Sequence, residues 1–212
     1  MNETLGVGMA GSDVRVPGLT LGRVRGRGSC ASVYSARRDL DGWACAVKIL
    51  DAPPQGSGPI DEADRLAARA AVRREIDVLT RVRVPGLVRL HEVLPADDGR
   101  LALVLDLVDG GVLRDVIDSR GHLVAREALG VLRVLFFALA ALHAQGITHG
   151  DLSPSNVLIS RDGRAVVGDL GGARLVGERP AQVRGTRGFT APEVLAGGDP
   201  SPAADVYAAG AI

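Results

Sequence analysis

The apolar pattern of this chain changes period once, near residues 109–111, which confines it to a β-rich part followed by a helix-led part. Ahead of that point, short alternating runs are separated by turn residues. Leu21, Val24, Val33 and Tyr34 flank Gly26-Arg27-Gly28-Ser29-Cys30-Ala31, which reads as strand, turn, strand. Trp43 to Leu50 is a further strand, and residues 52–59 form a Pro/Gly/Ser loop. Asp61 is placed to cap a helix running to about Arg83, with Val72, Ile76 and Leu79 at helical spacing, and Pro85-Gly86 stops it. Leu87–Val93 and Leu101–Val108 read as strands joined by the turn at Ala96–Gly99. Beyond Asp109-Gly110-Gly111 a short helix follows. Arg126–Ala144 is then a strong helix, with Leu132, Leu135, Phe136, Leu139 and Leu142 on one face. Asn156–Ile159 and Ala165–Val167 are short strands about an Arg161-Asp162-Gly163 turn, and Ala203–Ile212 has a helical pattern. The fold class is α+β.

Composition narrows the function. The chain has 212 residues, 25 basic and 25 acidic, so bulk electrostatics do not hold it on nucleic acid. Two cysteines cannot staple a secreted mini-protein, and a reducing cytoplasm is expected. No apolar run reaches membrane-spanning length; the longest is Val134–Leu142. Met1–Gly18 lacks a basic n-region and reads as a flexible leader rather than a signal peptide. The Arg/Ala/Gly bias points to a GC-rich bacterial genome. Lys48 is the sole lysine among the 25 basic residues. Lysine and arginine differ chemically, so its neighbours decide whether its survival is chance.

Those neighbours favour phosphate chemistry. The glycine-rich turn lies between two strands, so it suits a β-hairpin lid, whose glycines let backbone N–H groups approach phosphate oxygens, better than a dinucleotide-binding turn. Ala46-Val47-Lys48 follows on the next strand, where an ammonium can neutralise phosphates. Glu75, mid-helix, is read either as part of a solvated face beside Arg73 and Arg74 or as the counter-charge a buried lysine needs. Further on come His149-Gly150-Asp151-Leu152-Ser153-Pro154-Ser155-Asn156 and Gly168-Asp169-Leu170-Gly171. Asp and Asn are ordinary turn residues, but in this order they also supply hard oxygen ligands for Mg²⁺ and a carboxylate able to take a hydroxyl proton.

Taken together, these elements resemble the eukaryotic-like (bacterial) Ser/Thr protein kinase family from about Leu19 to Ile212. The match comprises Gly26-x-Gly28-x-x-Ala31-x-Val33, Ala46-Val47-Lys48, Glu75, Leu105–Gly111, His149-Gly150-Asp151, Asn156 and Asp169-Leu170-Gly171. It continues with Gly185–Glu193 and Asp205-Val206-Tyr207-x-x-Gly210. The resemblance implies a two-lobed kinase fold, with an N-lobe at 19–108 and a C-lobe at 109–212 that is incomplete at its C-terminus, following the leader at 1–18. It implies ATP and Mg²⁺ as cofactors and a protein bearing Ser or Thr as partner. By carry-over, Gly26, Gly28, Ala31 and Val33 cover the phosphates, and Lys48, held by Glu75, pairs with phosphate oxygens. Val33, Ala46 and Leu158 sandwich adenine, while the backbone at Asp106 and Val108 hydrogen-bonds it. Asp151 is the catalytic base, Asn156 and Asp169 hold Mg²⁺, and Thr186 belongs to the substrate-binding loop.

The chain departs from the family in four places. Gly150 replaces the arginine that pairs with a phosphorylated activation loop, and Gly171–Gly185 contains no Ser, Thr or Tyr, so activity is expected to need no priming. Ser153 replaces a lysine near the γ-phosphate, with Arg187 as a candidate substitute. Ala31 stands for the third glycine and Arg25 for an apolar roof residue, with Cys30 at the lid tip. The family's chains continue beyond the helix carrying Asp205, from which poor independent stability is expected. Two rival readings stay open. His-Gly-Asp is also found in small-molecule phosphotransferases of the aminoglycoside or choline kinase type. The changes at Gly150 and Ser153 also suit a pseudokinase or scaffold fragment.

Overall fold

The structure is a computed structural model, and it describes residues 14–28, 31–51, 62–178 and 185–212. Asp61, Cys30 and the 52–59 loop lie outside the described residues, as does most of the leader. The described chain forms two compact units. One takes the residues up to Asp51 together with Leu90–Leu107, and the other takes Glu62–Arg89 and Val108–Ile212.

The first unit is an antiparallel sheet of β1 (Leu19–Arg27), β2 (Ala31–Arg38), β3 (Ala44–Leu50), β4 (Leu90–Pro95) and β5 (Leu101–Asp106), in the order β1-β2-β3-β5-β4. Alternation along the strands sorts side chains between two faces. One face packs Tyr34, Ala36, Cys45, Val47, Ile49, Ala102 and Val104 into a core with Val16 and Leu19. Residues 45–50 are buried throughout, as expected for a central strand covered on both sides. The β2–β3 turn is fixed by Arg38 gripping Asp41 through two nitrogens, at 3.0 and 2.6 Å. That guanidinium, helped by the Trp43 N–H, holds the Asp41 carboxyl down at about 2.

In the second unit α1 (Glu62–Arg81) packs against a 3₁₀ turn at Leu170–Gly172. The order then runs β6 (Gly111–Val112), α2 (Leu113–Arg120), α3 (Ala125–His143), β7 (Ile147–Thr148), β8 (Val157–Ile159), β9 (Ala165–Val167), β10 (Arg174–Leu175), α4 (Pro192–Leu195) and α5 (Pro202–Ala211). Strands β6, β8 and β9 form one small sheet and β7 with β10 another. Helix α3 packs on α5, β7 and β9. Its buried stripe is Val131, Leu135, Ala138, Leu139 and Leu142. Phe136, assigned from the sequence to that face, is instead 44% exposed, because the stripe of a 3.6-residue helix runs through Val131 and Ala138. Leu87 and Val88 also depart from expectation. They precede β4 rather than belonging to it, because Gly86 and Val88 are hydrogen-bonded to Val167 of β9. Ser201 starts α5 by accepting the Ala204 N–H at 3.1 Å with Pro202 next to it, which puts Asp205 in the first turn. Among the described residues no helix is long and apolar enough to cross a membrane.

Candidate active site

Several of the predicted binding residues are arranged by the register of the first unit. Gly26 pairs with Val33, Val33 with Lys48, and Lys48 with Leu103, so these four form one cross-strand row. Directly opposed residues in antiparallel strands point to the same face, so Val33 and Lys48 share one, and Ala46 joins them two residues along β3. Lys48 is 9% exposed. A Cβ added at Gly26 would meet nothing within 4 Å, and its φ is not left-handed. Neither backbone twist nor packing therefore calls for glycine there, and what its missing side chain leaves is open backbone. Gly28 closes the hairpin by donating its N–H to the Ala31 carbonyl at 2.8 Å. Ala31 is buried at the start of β2, and Asp106 ends β5 opposite Cys45. The Asp106 carboxylate is occupied with His91, 2.6 Å away.

The second unit holds Glu75, Val108, Asp151, Asn156, Leu158, Asp169 and Thr186. Glu75 is buried on α1, so the solvated-face reading of that residue is corrected; the exposed face is carried by Arg73. The loop at 149–156 is built on Asp205. Its carboxylate accepts the His149 N–H at 2.8 Å and the Gly150 N–H at 2.9 Å, and pairs with His143 Nε2 at 2.8 Å. Asp205 is only 2% exposed, and three donors converge on its two oxygens, which is how a buried carboxylate is satisfied.

His149, fully buried, then locks the loop to the end of β9. Its Nε2 lies 3.3 Å from the Gly168 carbonyl and its Nδ1 lies 3.4 Å from the Asp151 amide nitrogen. A carbonyl only accepts and an amide N–H only donates, so these two contacts suit the tautomer that carries its proton on Nε2. The residues before Asp169 and those around Asp151 are thus held by one imidazole. Sequence reasoning missed the roles of His143 and His149. His143 had a signal, since it falls four residues after Leu139 and eight after Leu135, on the buried stripe of α3.

Asp151 is the centre of the resulting arrangement. Thr186 donates its hydroxyl to Asp151 Oδ1 at 2.9 Å, and Thr190 donates to the Thr186 carbonyl at 3.2 Å. Among the described residues no donor reaches Asp151 Oδ2. Asn156 Nδ2 donates to the Asp151 carbonyl at 2.6 Å, which leaves Asn156 its amide oxygen. Asp169 sits at φ 48 and ψ 78, and its Oδ1 accepts the Gly171 N–H at 3.3 Å. Carboxylate and amide oxygens are the donor set a hard divalent cation takes, and Mg²⁺ completes its shell with water and phosphate. No cluster of three or more His, Cys, Asp or Glu that could hold a metal forms among the described residues. Beside Asp151 a small recess is walled by Phe189, Val194, Ala204 and Ala208.

Both departures in this loop have structural consequences. Gly150 has φ +76, and a Cβ there would lie 2.5 Å from the Gly172 carbonyl oxygen. Gly150→Arg is expected to cost at least about 2 kcal/mol, from left-handed backbone and backbone overlap together. A urea midpoint equal to that of the parent chain would contradict this. Ser153 faces inward. It is fully buried, and its hydroxyl has no hydrogen-bond partner among the described residues. Ser153→Ala is expected to stabilise the chain by about 1 kcal/mol, since an unpaired buried hydroxyl is removed; a lower melting temperature would refute it. Arg187 is exposed.

Residues 19–212 match the family model described as a protein kinase domain. CBL-interacting protein kinase 29 of Oryza sativa subsp. japonica is 35% identical over 195 residues, covering 91% of this chain and 44% of that protein. CBL-interacting serine/threonine-protein kinase 24 of Arabidopsis thaliana is 35% identical over 202 residues, covering 93% and 43%. CBL-interacting protein kinase 4 of Oryza sativa subsp. japonica is 39% identical over 182 residues, covering 82% and 38%. The chain spans less than half the length of these curated relatives. They are plant proteins, so the bacterial source read from composition gains no support from them. With its α+β architecture and the loop held on Asp205, the chain belongs to the protein kinase domain family.

Proposed function

We propose that the chain transfers the γ-phosphate of Mg-ATP to Ser or Thr hydroxyls of protein substrates, in the cytoplasm, with Asp151 as base. The observation that carries this is the Thr186 hydroxyl bound at 2.9 Å to Asp151 Oδ1, since an aliphatic hydroxyl already fits against that carboxylate. In the proposed reaction the substrate hydroxyl gives its proton to Asp151 as its oxygen forms the new bond to phosphorus, and ADP leaves. ATP supplies the phosphoryl group, and Mg²⁺ supplies charge neutralisation. Gly26, Gly28, Ala31 and Val33 cover the phosphates, and Lys48 binds phosphate oxygens with Glu75 as its counter-charge. Val33, Ala46, Leu158 and the backbone of Asp106 and Val108 hold adenine, while Asn156 and Asp169 hold the cation. The cross-strand row of Gly26, Val33 and Lys48 supports the nucleotide part of this reading. A protein substrate is favoured over a small one because the 185–194 segment, rather than open solvent, flanks Asp151.

The test is transfer of labelled phosphate from Mg-ATP to a serine-containing protein, run beside a panel of amino sugars and alcohols. Protein labelling is the expected result. Labelling of the small molecules alone would make this a small-molecule phosphotransferase, and nucleotide binding without transfer would make it a scaffold.

A further inference from the structure

The stretch of chain beside Asp151 is basic. From Arg179 to Pro192 the sequence holds three arginines and no acidic residue. One of them, Arg187, immediately follows Thr186, whose hydroxyl donates to Asp151 Oδ1 at 2.9 Å. Arg187 is exposed, and among the described residues no carboxylate pairs with its guanidinium. A second arginine reaches the same stretch from α2. Arg114 Cζ lies 5.6 Å from the centre of the Phe189 ring, a cation–π contact, and Phe189 walls the recess together with Thr186 and Asp151. Asp118, one turn along α2, stands 3.9 Å from Arg114 Nη1 and is 64% exposed, so it offsets that charge only weakly. The next acid along the chain, Glu193, is exposed in the first turn of α4.

Two guanidinium groups from different elements therefore flank the place where the Thr186 hydroxyl meets Asp151. A substrate hydroxyl taking that place carries its neighbouring residues past them. A guanidinium is a planar fork that matches a carboxylate or a phosphate, and it repels another cation. We propose that Arg114 and Arg187 are specificity-determining residues that select protein substrates with an anionic side chain close to the acceptor Ser or Thr. An extended chain advances about 3.3 Å per residue, which places that anion within about three residues of the acceptor. The proposal rests on the kinase reading above and names its substrate class. Exposed ion pairs are individually weak and screened by salt, so each arginine contributes about two- to fivefold of preference.

The experiment uses four serine peptides, identical except that the residues flanking the serine are Asp, Asn, Lys or phosphoserine. For the parent chain kcat/KM is expected to be about fivefold or more higher on the Asp peptide than on the Asn peptide, lowest on the Lys peptide, and to converge as salt rises. Arg187→Glu is expected to invert the order of the Asp and Lys peptides, and Arg114→Gln to lower the Asp/Asn ratio about two- to fivefold. Each readout is a ratio between peptides for one variant, so a change in the folded fraction cancels. Preference for phosphoserine over Asp would trace the anion to a previously phosphorylated protein, and the opposite order to an acidic sequence; both support the proposal. Equal use of the Asp and Asn peptides by the parent would overturn it. So would an equal loss on every peptide in Arg187→Glu, which would put that arginine on the nucleotide phosphates instead. If the parent transfers phosphate to no peptide, the kinase reading fails separately. Fluorescence anisotropy of the same labelled peptides then decides, and an Asp peptide bound no more tightly than the Asn peptide rejects the proposal.

Discussion

Asp151→Asn is expected to lower phosphate transfer by about 10²- to 10⁴-fold while leaving the fold intact. The substitution is nearly isosteric. The Asn side-chain oxygen still accepts the Thr186 hydroxyl, and the backbone carbonyl of residue 151 still accepts Asn156 Nδ2. What is lost is the capacity to take a proton, because an amide is not a base in this range. Initial rates with labelled Mg-ATP measure the loss, and the melting temperature, expected to be unchanged, shows that folding is not its cause. Transfer within tenfold of the parent chain would remove Asp151 from the role of base.

Asp205→Ala is expected to cost about 3–5 kcal/mol of stability, the range for removing one partner from a buried charged network. Two backbone N–H groups, of His149 and Gly150, and His143 Nε2 lose their partner together. His149 is fully buried, so water does not readily replace the carboxylate on its N–H. The loop they shape also carries Asp151, so turnover should fall with stability. Urea unfolding of the variant beside the parent measures the first effect. A difference under about 1 kcal/mol would show that the loop does not depend on this carboxylate. His143→Ala, which removes one bond from a partly exposed side chain, is expected to fall well short of the same loss.

The order of elements was legible because each rests on local chemistry. Gly28 sits between β1 and β2 and Ala96–Gly99 between β4 and β5, a 3.6-residue period runs through α3, and Ser201-Pro202 starts α5. Candidate residues stand out by residue type and order for the same reason, Lys48 in the first unit and Asp151, Asn156 and Asp169 in the second. Where non-local contact competes with pattern, the reading failed. Leu87 and Val88 look like the start of a strand, but the Gly86 carbonyl and the Val88 N–H on either side of Leu87 are hydrogen-bonded to Val167, distant in sequence. Phe136 looks like core by composition and lies outside the stripe.

Residue type and spacing alone therefore determined the α+β class, the position of the period change and which polar side chains are chemically able to handle a phosphate. Tertiary structure decided that Ser153 turns inward with its hydroxyl unpaired among the described residues, that Gly150 must remain free of a Cβ beside Gly172, and that His143, His149 and Asp205 form the support under Asp151. The division follows from the range of the forces. Backbone propensity and hydrophobic period act over a few residues and are written in the neighbours. Burial and hydrogen bonding of a side chain depend on atoms that only folding brings within about 3 Å.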